Sequence, residues 1–374
     1  MLAVVALVVG VLLAAASLTD RVSTRSLLGG FAGPLSGGRA PEVEGLTNWL
    51  NAEPTTIAAQ REQRRVVLID FWTYTCVNCI RTLPHLKQWH DRYAPVGLTI
   101  IGVHAPEFDF EHDPANVRRA VEANGIKYPV ASDNDMRTWG AFSNNAWPAK
   151  YLVGADRQVR YVHIGEGDYD ETERAIREAL TAAGRDVSAI PTGGLPEPER
   201  DPNATRITRE LYGGTERNYA TRGSYAAQSE YYAGQNKVVD YSDAGARGND
   251  VWYLQGRWRN ERHAIVHART TQNLDDYLAF RFTARSVNAV MHPGPNGASY
   301  DVVVEIDGRP LARNEAGSDI RFDAAGRSIV TVSEPRMYSL ALLPAVGDHE
   351  LKMRSNSDAF SMYAITFGIN VEGP

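Results

Sequence analysis

Residues 71–79 read Phe71-Trp72-Thr73-Tyr74-Thr75-Cys76-Val77-Asn78-Cys79. An apolar run precedes this stretch, and apolar residues recur after it at helical spacing, at Ile80, Leu83 and Leu86. The pattern predicts a strand, a short turn and a helix that begins near Cys76. At a helix N-terminus the unpaired backbone N–H groups and the helix dipole favour a thiolate, the form of cysteine that attacks disulfides.

The chain has 374 residues and only these two cysteines, with two residues between them. A bridge between such close positions would constrain little of the unfolded chain, so its value would be chemical rather than structural. One helical turn after Cys76, Cys79 can attack the Cys76 sulfur of a mixed disulfide and release the bound partner, which makes the pair a reversible two-electron couple. The C-x-x-C motif between a strand and a helix therefore predicts a thiol-disulfide oxidoreductase.

A zinc site is the alternative for such a motif, because His85 and His90 follow on the same predicted helix. Five residues separate Cys79 from His85, whereas finger-type zinc sites place about 12 to 15 residues between their two ligand pairs. The spacing disfavours zinc, and we expect neither a bound metal nor an organic cofactor.

Residues 46–185 alternate apolar strand-like runs with segments of helical periodicity, a pattern typical of an α/β domain with a central sheet. Residues 186–203 are rich in Pro and Gly and are predicted to form a linker. The predicted strands are residues 65–71, 98–104, 128–132, 150–154 and 159–165, and the predicted helices are residues 76–93, 115–124, 135–142 and 170–183.

Residues 204–374 show a different pattern, in which short apolar runs are separated by turn-forming residues and helical periodicity is nearly absent. This pattern predicts an all-β sandwich of jelly-roll-like type. Aromatic residues are dense enough there for a sugar-stacking platform, although such residues more often fill the core of a small sandwich. The aromatic residues concerned are Tyr225, Tyr231, Tyr232, Trp252, Tyr253 and Trp258.

Residues 1–18 carry no charge and reach the roughly 18 residues that a membrane-spanning helix requires. They are predicted to be a transmembrane segment, followed by a tether over residues 19–45. The first basic residues, Arg21 and Arg25, follow the apolar run, which by itself would leave the rest of the chain in the cytoplasm. An uncleaved anchor, a cleaved signal peptide and the last span of a longer polytopic protein are the alternatives for this segment.

The charge balance excludes one class of partner. The chain has 39 Lys and Arg against 45 Asp and Glu, a formal net charge of −6, and its basic residues are scattered. Nucleic-acid binding needs a clustered basic surface, so we expect no nucleic-acid partner.

Over residues 47–183 the sequence resembles the thioredoxin superfamily and, within it, the TlpA/ResA-like extracytoplasmic reductases. The resemblance rests on the C-x-x-C motif, on Asp70 and Pro84 on either side of it, and on the Trp147-Pro148 pair. It implies that Asp70 is a buried carboxylate that helps to remove the proton of Cys79, and that Pro84 kinks the long helix. It also implies that Trp147-Pro148 is a cis-proline loop facing the disulfide, where the backbone of Trp147 would pair with an extended substrate.

The run Gly102-Val103-His104-Ala105-Pro106-Glu107 resembles the strand end at which ResA-like proteins carry an active-site glutamate, which implies that Glu107 is an acid/base group. The ordinary alternatives are a strand-end carboxylate bound to backbone for Asp70 and a solvated loop charge for Glu107. Thr75 and the Val77-Asn78 pair depart from the common family pattern, which leaves the direction of electron flow open. The predicted site residues are Cys76, Cys79, Asp70 and Glu107 for catalysis, and Trp72, Trp147 and Pro148 for substrate contact.

The whole chain resembles the mycobacterial DipZ-like proteins, in which a CcdA-like electron-carrying membrane domain precedes a TlpA-like domain and a carbohydrate-binding-module-like β-sandwich. Residues 71–79 and the late run Tyr363-Ala364-Ile365-Thr366-Phe367-Gly368 carry this likeness. It implies a CcdA-like electron donor, exported disulfide proteins such as an apocytochrome c as substrates, and a polysaccharide as a further partner. Both soluble domains would then lie outside the cytoplasm, in the cell envelope.

Two other functions stay open. Peroxiredoxins share the thioredoxin fold, and Thr73 lies three residues before Cys76 as their motif requires, but Ile69 stands where that motif has proline. A thiol peroxidase would oxidise Cys76 toward a sulfenic acid. The other alternative is a non-catalytic glycan-binding envelope protein.

Overall fold

The computed structural model describes residues 37–371 except 198, 203 and 221–223. The predicted transmembrane segment, residues 1–18, and most of the predicted tether lie outside the described residues. Within the described part of the chain, no helix is both long and apolar enough to cross a bilayer. An α/β region is followed by a β-rich region, which confirms the coarse division that the sequence predicts.

The α/β region is built on a six-stranded sheet. Its strands are Thr47–Leu50 (β1), Val66–Trp72 (β2), Leu98–His104 (β3), Val130–Ser132 (β4), Ala149–Val153 (β5) and Val159–Ile164 (β6). They lie in the order β1-β4-β3-β2-β5-β6, with β2, β3 and β4 parallel and the others antiparallel to their neighbours. All residues of β2 are buried, because alternate side chains enter two hydrophobic cores, one on each face of the sheet.

Five helices accompany this sheet: Ile57–Glu62 (α1), Val77–Tyr93 (α2), Pro114–Ala123 (α3), Arg137–Ala141 (α4) and Tyr169–Ala182 (α5). Helix α2 buries Leu83, Leu86 and Trp89 at helical spacing, as its sequence predicts, and carries Pro84 in its interior. Strand β1 and helix α1 were not predicted. At four and six residues they are too short to show a hydrophobic period.

Two segments predicted as flexible connections are packed against the α/β region. Ala40, in the described end of the predicted tether, is 1% exposed, and its N–H donates to the Arg157 carbonyl at 2.9 Å. In the predicted linker Val187 is buried, and its carbonyl accepts a hydrogen bond from Arg177 of α5 at 2.8 Å. The Gly- and Pro-rich composition therefore predicts irregular backbone correctly, but not flexibility. Scattered apolar side chains and backbone hydrogen bonds hold these segments against the α/β region.

The strands of the β-rich region are Leu211–Tyr212 (β7), Val238–Tyr241 (β8), Trp252–Asn260 (β9), Ile265–His267 (β10), Tyr277–Met291 (β11), Tyr300–Ile306 (β12), Arg309–Pro310 (β13), Ile320–Phe322 (β14), Ser328–Val332 (β15), Arg336–Arg354 (β16) and Ser361–Gly368 (β17). They share one hydrogen-bonded network, in which β11 pairs with β9, β16 and β17. Irregularities in the β11–β16 ladder allow these long strands to bend around a common core. A short helix, Thr215–Ala220 (α6), follows β7.

Aromatic residues considered for sugar stacking belong to this core. Tyr231 and Trp252 are 0% exposed and Trp258 is 1% exposed, and the rings of Tyr231 and Trp252 meet edge to face at 5.0 Å. Tyr225 and Tyr232 are partly buried against the same core. A ring without an accessible face cannot stack on a sugar, so the platform inferred from aromatic density is wrong for the three buried residues.

The two regions meet at the loop that follows β3. Phe108 of this loop packs with Val290 and Ala364 of the β-rich region in a small buried cluster. The Tyr363 ring contacts Phe108 and Phe110, with centroid distances of 5.4 and 5.0 Å. This apolar contact places β7 and β17 beside the loop that carries Glu107.

Candidate active site

The two cysteines lie where strand β2 gives way to helix α2. Cys76 is the N-cap of α2, and the backbone N–H of Cys79 donates to its Sγ at 3.2 Å, which stabilises negative charge on that sulfur. Cys76 is partly exposed, whereas Cys79 is 1% exposed, and both are free thiols. The arrangement suits an attacking thiol that reaches an incoming disulfide and a second thiol protected beneath it.

A buried carboxylate and a buried ammonium lie behind the cysteines. Asp70 of β2 and Lys150 of β5 are register partners in the β2–β5 ladder and are 1% and 0% exposed. Burial raises the pKa of Asp70 to about 7, and the charge of Lys150 opposes that shift. Burial also lowers the pKa of Lys150. Lys150 was not predicted as a site residue, although a single lysine inside the apolar run of β5 was a usable signal.

Burial raises the pKa of the Cys79 thiol well above its usual value, and the neighbouring Cys76 and Asp70 add to the shift. A thiol of this kind stays protonated until a base removes its proton, so it does not compete with Cys76 for the incoming disulfide. Asp70, which titrates near neutral pH, is suited to be that base.

The Trp147-Pro148 peptide bond is cis, as the resemblance implied. Trp147 lines a cavity of about 180 Å³ together with Cys76, and its indole N–H donates to the carbonyl of Ala105 at 3.0 Å. Trp72, predicted to contact substrate, is 0% exposed and packs its ring edge to face with His104. A fully buried indole does not meet a substrate, so Trp72 is a core residue beneath the site, and its prediction as a substrate contact is wrong.

Glu107 lies on the same cavity as Cys76, in the loop after β3. Its side chain is 8% exposed, so it is not the solvated loop charge that the ordinary alternative proposed. Burial raises the pKa of Glu107 to about 8, the nearby Glu210 raises it further, and Arg217 opposes the shift. Glu210 and Arg217 both belong to the β-rich region. The local sequence around Glu107 therefore gives no sign that they lie at this site.

Glu111, in the 3₁₀ turn Asp109–His112, ties the cysteine loop to the loop after β3. Its Oε1 accepts hydrogen bonds from the hydroxyls of Thr73 and Thr75 at 2.5 and 2.6 Å, and its Oε2 accepts the backbone N–H groups of Glu107 and Phe108 at 2.5 and 3.0 Å. Burial raises the pKa of Glu111, and the four donors oppose that shift. Glu111 was not predicted as a site residue because its four partners come from two separate segments.

Replacing Glu111 with Gln is expected to lower the free energy of unfolding by about 3 kcal/mol or more. An amide has one acceptor oxygen, so two of the four donors lose a bond to a charged acceptor, each worth about 1.5 kcal/mol or more when buried. Urea unfolding of the variant and of the control Glu122→Gln, an exposed glutamate of α3, measures the loss. Equal stability of the two variants would contradict the structural role of Glu111.

The zinc alternative is not supported by the positions of the two histidines. His85 stacks flat on Tyr169, with ring centroids 3.5 Å apart, and His90 meets Tyr128 edge to face at 6.0 Å. Among the residues that the structure describes, no group of three or more His, Cys, Asp or Glu side chains is arranged to hold a metal ion.

The sheet and the dithiol at the end of β2 resemble those of the thioredoxin superfamily, and the chain is similar to proteins of the class of thiol-disulfide oxidoreductases. Residues 37–162 match the AhpC/TSA family, and residues 208–368 match the family described as thioredoxin like C-terminal domain. Both regions of the fold thus have counterparts in known families.

Proteins named DipZ from Mycobacterium tuberculosis and Mycobacterium bovis are each 35% identical to the chain over 278 residues, which are 73% of this chain and 37% of theirs. The thiol-disulfide oxidoreductase YkuV of Bacillus subtilis is 29% identical over 143 residues, which are 37% of this chain and 93% of YkuV. The chain therefore spans little more than a third of the length of the DipZ proteins, whereas it covers nearly all of YkuV.

Proposed function

We propose that the chain is a membrane-anchored, extracytoplasmic enzyme that reduces disulfides in exported proteins through Cys76 and Cys79. One observation carries the chemistry: a partly exposed, N-capping Cys76 receives the N–H of Cys79, whose own thiol is buried and held protonated. This asymmetry assigns attack to Cys76 and resolution to Cys79.

In the proposed reaction the Cys76 thiolate attacks one sulfur of the substrate disulfide, and the other substrate sulfur leaves with the electron pair. Asp70 then accepts the proton of Cys79, whose thiolate attacks the Cys76 sulfur and releases the second substrate thiol. Both substrate sulfurs leave as thiolates and take up protons from the site or from solvent, so the substrate has gained two electrons and two protons, and the enzyme is left with a Cys76–Cys79 disulfide. An external dithiol must return the enzyme to its reduced form.

The cis-proline loop is proposed to hold the substrate segment. Trp147 lies on the cavity beside Cys76, so an extended peptide running past the cysteine would meet the backbone of Trp147. Backbone pairing of this kind depends on the extended conformation of the peptide and not on its side chains. This suits an enzyme that acts on several protein disulfides.

The similarity to the DipZ proteins supports the finer parts of the proposal, which are the cell-envelope location, a CcdA-like membrane donor of electrons, and a role in cytochrome c biogenesis. The uncharged run over residues 1–18 supports a membrane anchor. Protease added to the outer face of intact cells should cleave the chain beyond residue 30. Complete protection from that protease would refute the location.

A trapping experiment tests the reductase function. With Cys79 replaced by Ser, the mixed disulfide on Cys76 cannot resolve, so covalent complexes with substrate proteins should accumulate and be released by dithiothreitol. The matched control replaces both cysteines with Ser. Equal amounts of complex in the two variants, or none in either, would refute the function.

The redox potential decides the direction of electron flow. Equilibration with glutathione buffers should give a potential near that of thioredoxin, about −270 mV, for a reductase, whereas a value near −120 mV would identify an oxidant. The peroxidase alternative gains no support from Thr73, whose hydroxyl is bound to Glu111 rather than free for a peroxide at Cys76.

For the β-rich region we keep the proposal of a carbohydrate-binding-module-like sandwich, with polysaccharide as its candidate partner. Its test is sedimentation of the full chain with insoluble envelope polysaccharide. If the chain does not sediment with the polysaccharide, the proposed polysaccharide partner is refuted. The proposed role of the β-rich region would then be its contribution to the cavity at Cys76.

A further inference from the structure

The β-rich region forms one side of the cavity at Cys76. On that side the cavity is lined by Thr208, Glu210, Tyr212, Thr366 and Phe367, which equal in number the lining residues from the α/β region. A substrate sulfur bound at Cys76 therefore lies against groups from both regions. Two of these side chains, the acidic Glu210 and the phenolic Tyr212, are placed to influence proton transfer to that sulfur.

The Tyr212 hydroxyl lies between two carboxylates. Its oxygen is 3.0 Å from Glu107 Oε1 and 2.7 Å from Glu210 Oε2. A phenol has one hydrogen and can donate it to only one of these oxygens. The second contact is a hydrogen bond only if that carboxyl is protonated and donates to the phenol oxygen. If both contacts are hydrogen bonds, the Glu107–Glu210 pair must therefore carry one proton in addition to the proton of Tyr212.

The surrounding charges also favour this shared proton. On the side of α6, Arg217 donates to Glu107 Oε1 at 2.7 Å, and its guanidinium lies 4.9 Å from the centre of the Tyr212 ring. On the side of the 3₁₀ turn, the carboxylate of Glu111 accepts the backbone N–H of Glu107, and Cys76 faces the cavity from α2. One guanidinium cannot neutralise every carboxylate around it, so holding a proton lowers the repulsion.

Burial acts in the same direction and raises the pKa of Glu210 as well as that of Glu107. Close packing fixes the strand that carries the shared hydroxyl. A Cβ added at Gly213 would lie 2.1 Å from the carbonyl oxygen of Met362, so only glycine lets β7 approach β17 this closely. The hydroxyl thus has a defined position relative to the loop after β3.

We infer that Glu210 is a positioning residue that keeps Glu107 protonated, that Tyr212 is a positioning residue that joins the two carboxyl groups and limits this effect, and that Glu107 gives the proton to the sulfur that leaves the substrate disulfide. The inference rests on the proposed reductase function. As the bond between the Cys76 sulfur and the substrate forms, the substrate S–S bond breaks and the leaving sulfur keeps the electron pair. That sulfur takes the proton, and Glu107 remains as a carboxylate bound to Arg217 and Tyr212.

The first test follows the carboxyl itself and needs no activity. In the full chain labelled with ¹³C at the δ-carbon of glutamate, one carboxyl signal should titrate near pH 8 and be lost in Glu107→Gln. Glu210→Gln removes a like charge and should lower this midpoint by about 1 to 2 pH units, whereas Tyr212→Phe removes a donor to the carboxylate and should raise it by about 0.5 to 1 unit. Titration of Glu107 below about pH 5 in the wild type, or a midpoint that neither variant moves, would overturn the inference.

The second test follows the rate of disulfide reduction against pH. Its alkaline decline should move down in Glu210→Gln and up in Tyr212→Phe, in step with the carboxyl midpoints, whereas damage to the interface would lower the rate at every pH. The control Glu216→Gln, on the same helix as Arg217 but paired with Arg262, should move neither. Midpoints that shift without the rate profile would overturn proton delivery by Glu107. A wild type that reduces no disulfide would refute the proposed function, while the carboxyl titration would still decide the shared proton.

Discussion

Replacing Cys76 with Ser is expected to lower the rate of protein-disulfide reduction by at least about a thousandfold, as is usual when a covalent nucleophile is removed. A serine hydroxyl is not ionised at neutral pH and forms no disulfide, so the first step of the reaction is lost. The fold should be retained because Cys76 is the N-cap of α2, a position that serine occupies readily. Thermal unfolding should therefore differ little from that of the wild type.

The rate is measured with a disulfide-containing reporter protein under an excess of an external dithiol, at matched concentrations of wild type and variant. The background rate of the dithiol alone is subtracted. A Cys76→Ser protein that retains more than about a tenth of the wild-type rate would contradict the assignment of Cys76 as the attacking thiol.

Replacing Asp70 with Asn is expected to raise the free energy of unfolding at pH 8.5 by up to about 4 kcal/mol while slowing the release of reduced substrate. Burial raises the folded-state pKa of Asp70 to about 7 from 3.8. Each pKa unit is worth 1.36 kcal/mol, so about 4 kcal/mol of stability is present below pH 4 and is lost as the pH rises through 7. An asparagine has no such titration. Loss of the opposite charge beside the buried Lys150 reduces the gain.

Urea unfolding at pH 4 and at pH 8.5 measures the effect as a difference between the two pH values, with Asp91→Asn, an exposed residue of α2, as the control. The rate of resolution should fall by about a hundred- to ten-thousandfold, the range for loss of a general base. A variant whose stability follows the wild-type pH dependence would show that Asp70 does not titrate near neutral pH. Unchanged resolution would show that another group takes the proton of Cys79.

Local sequence was sufficient for the longer elements of the α/β region, although not for β1 and α1. Helix α2 begins one residue after the predicted start, and strand β3 has the predicted bounds, because a run of buried residues or a helical period lies wholly within each. The cysteine pair, Asp70 and the cis bond at Trp147-Pro148 could be placed for a similar reason, since each stands at a set distance along one short segment or in a family motif.

Composition was a poorer guide where burial decides the outcome. Aromatic density in the β-rich region allowed either a sugar-stacking platform or a filled core, and only the structure shows that Trp252 and Trp258 fill the core. Trp72 stands beside the motif in sequence, yet strand alternation turns it into the sheet's core rather than toward the cavity. Which face of an element is covered depends on what packs against it, and that information is not local.

The sequence by itself determined the dithiol, its position between a strand and a helix, and the α/β pattern around it, because these depend on spacing within a few turns of chain. Only the tertiary structure decided that Lys150 lies behind Asp70, that Glu111 joins two loops, and that Glu210 and Tyr212 reach Glu107. These contacts join segments far apart along the chain. The first two form because the sheet and its buried cores bring segments of the α/β region together. The contacts of Glu107 with the β-rich region form because apolar surface is buried between the two regions.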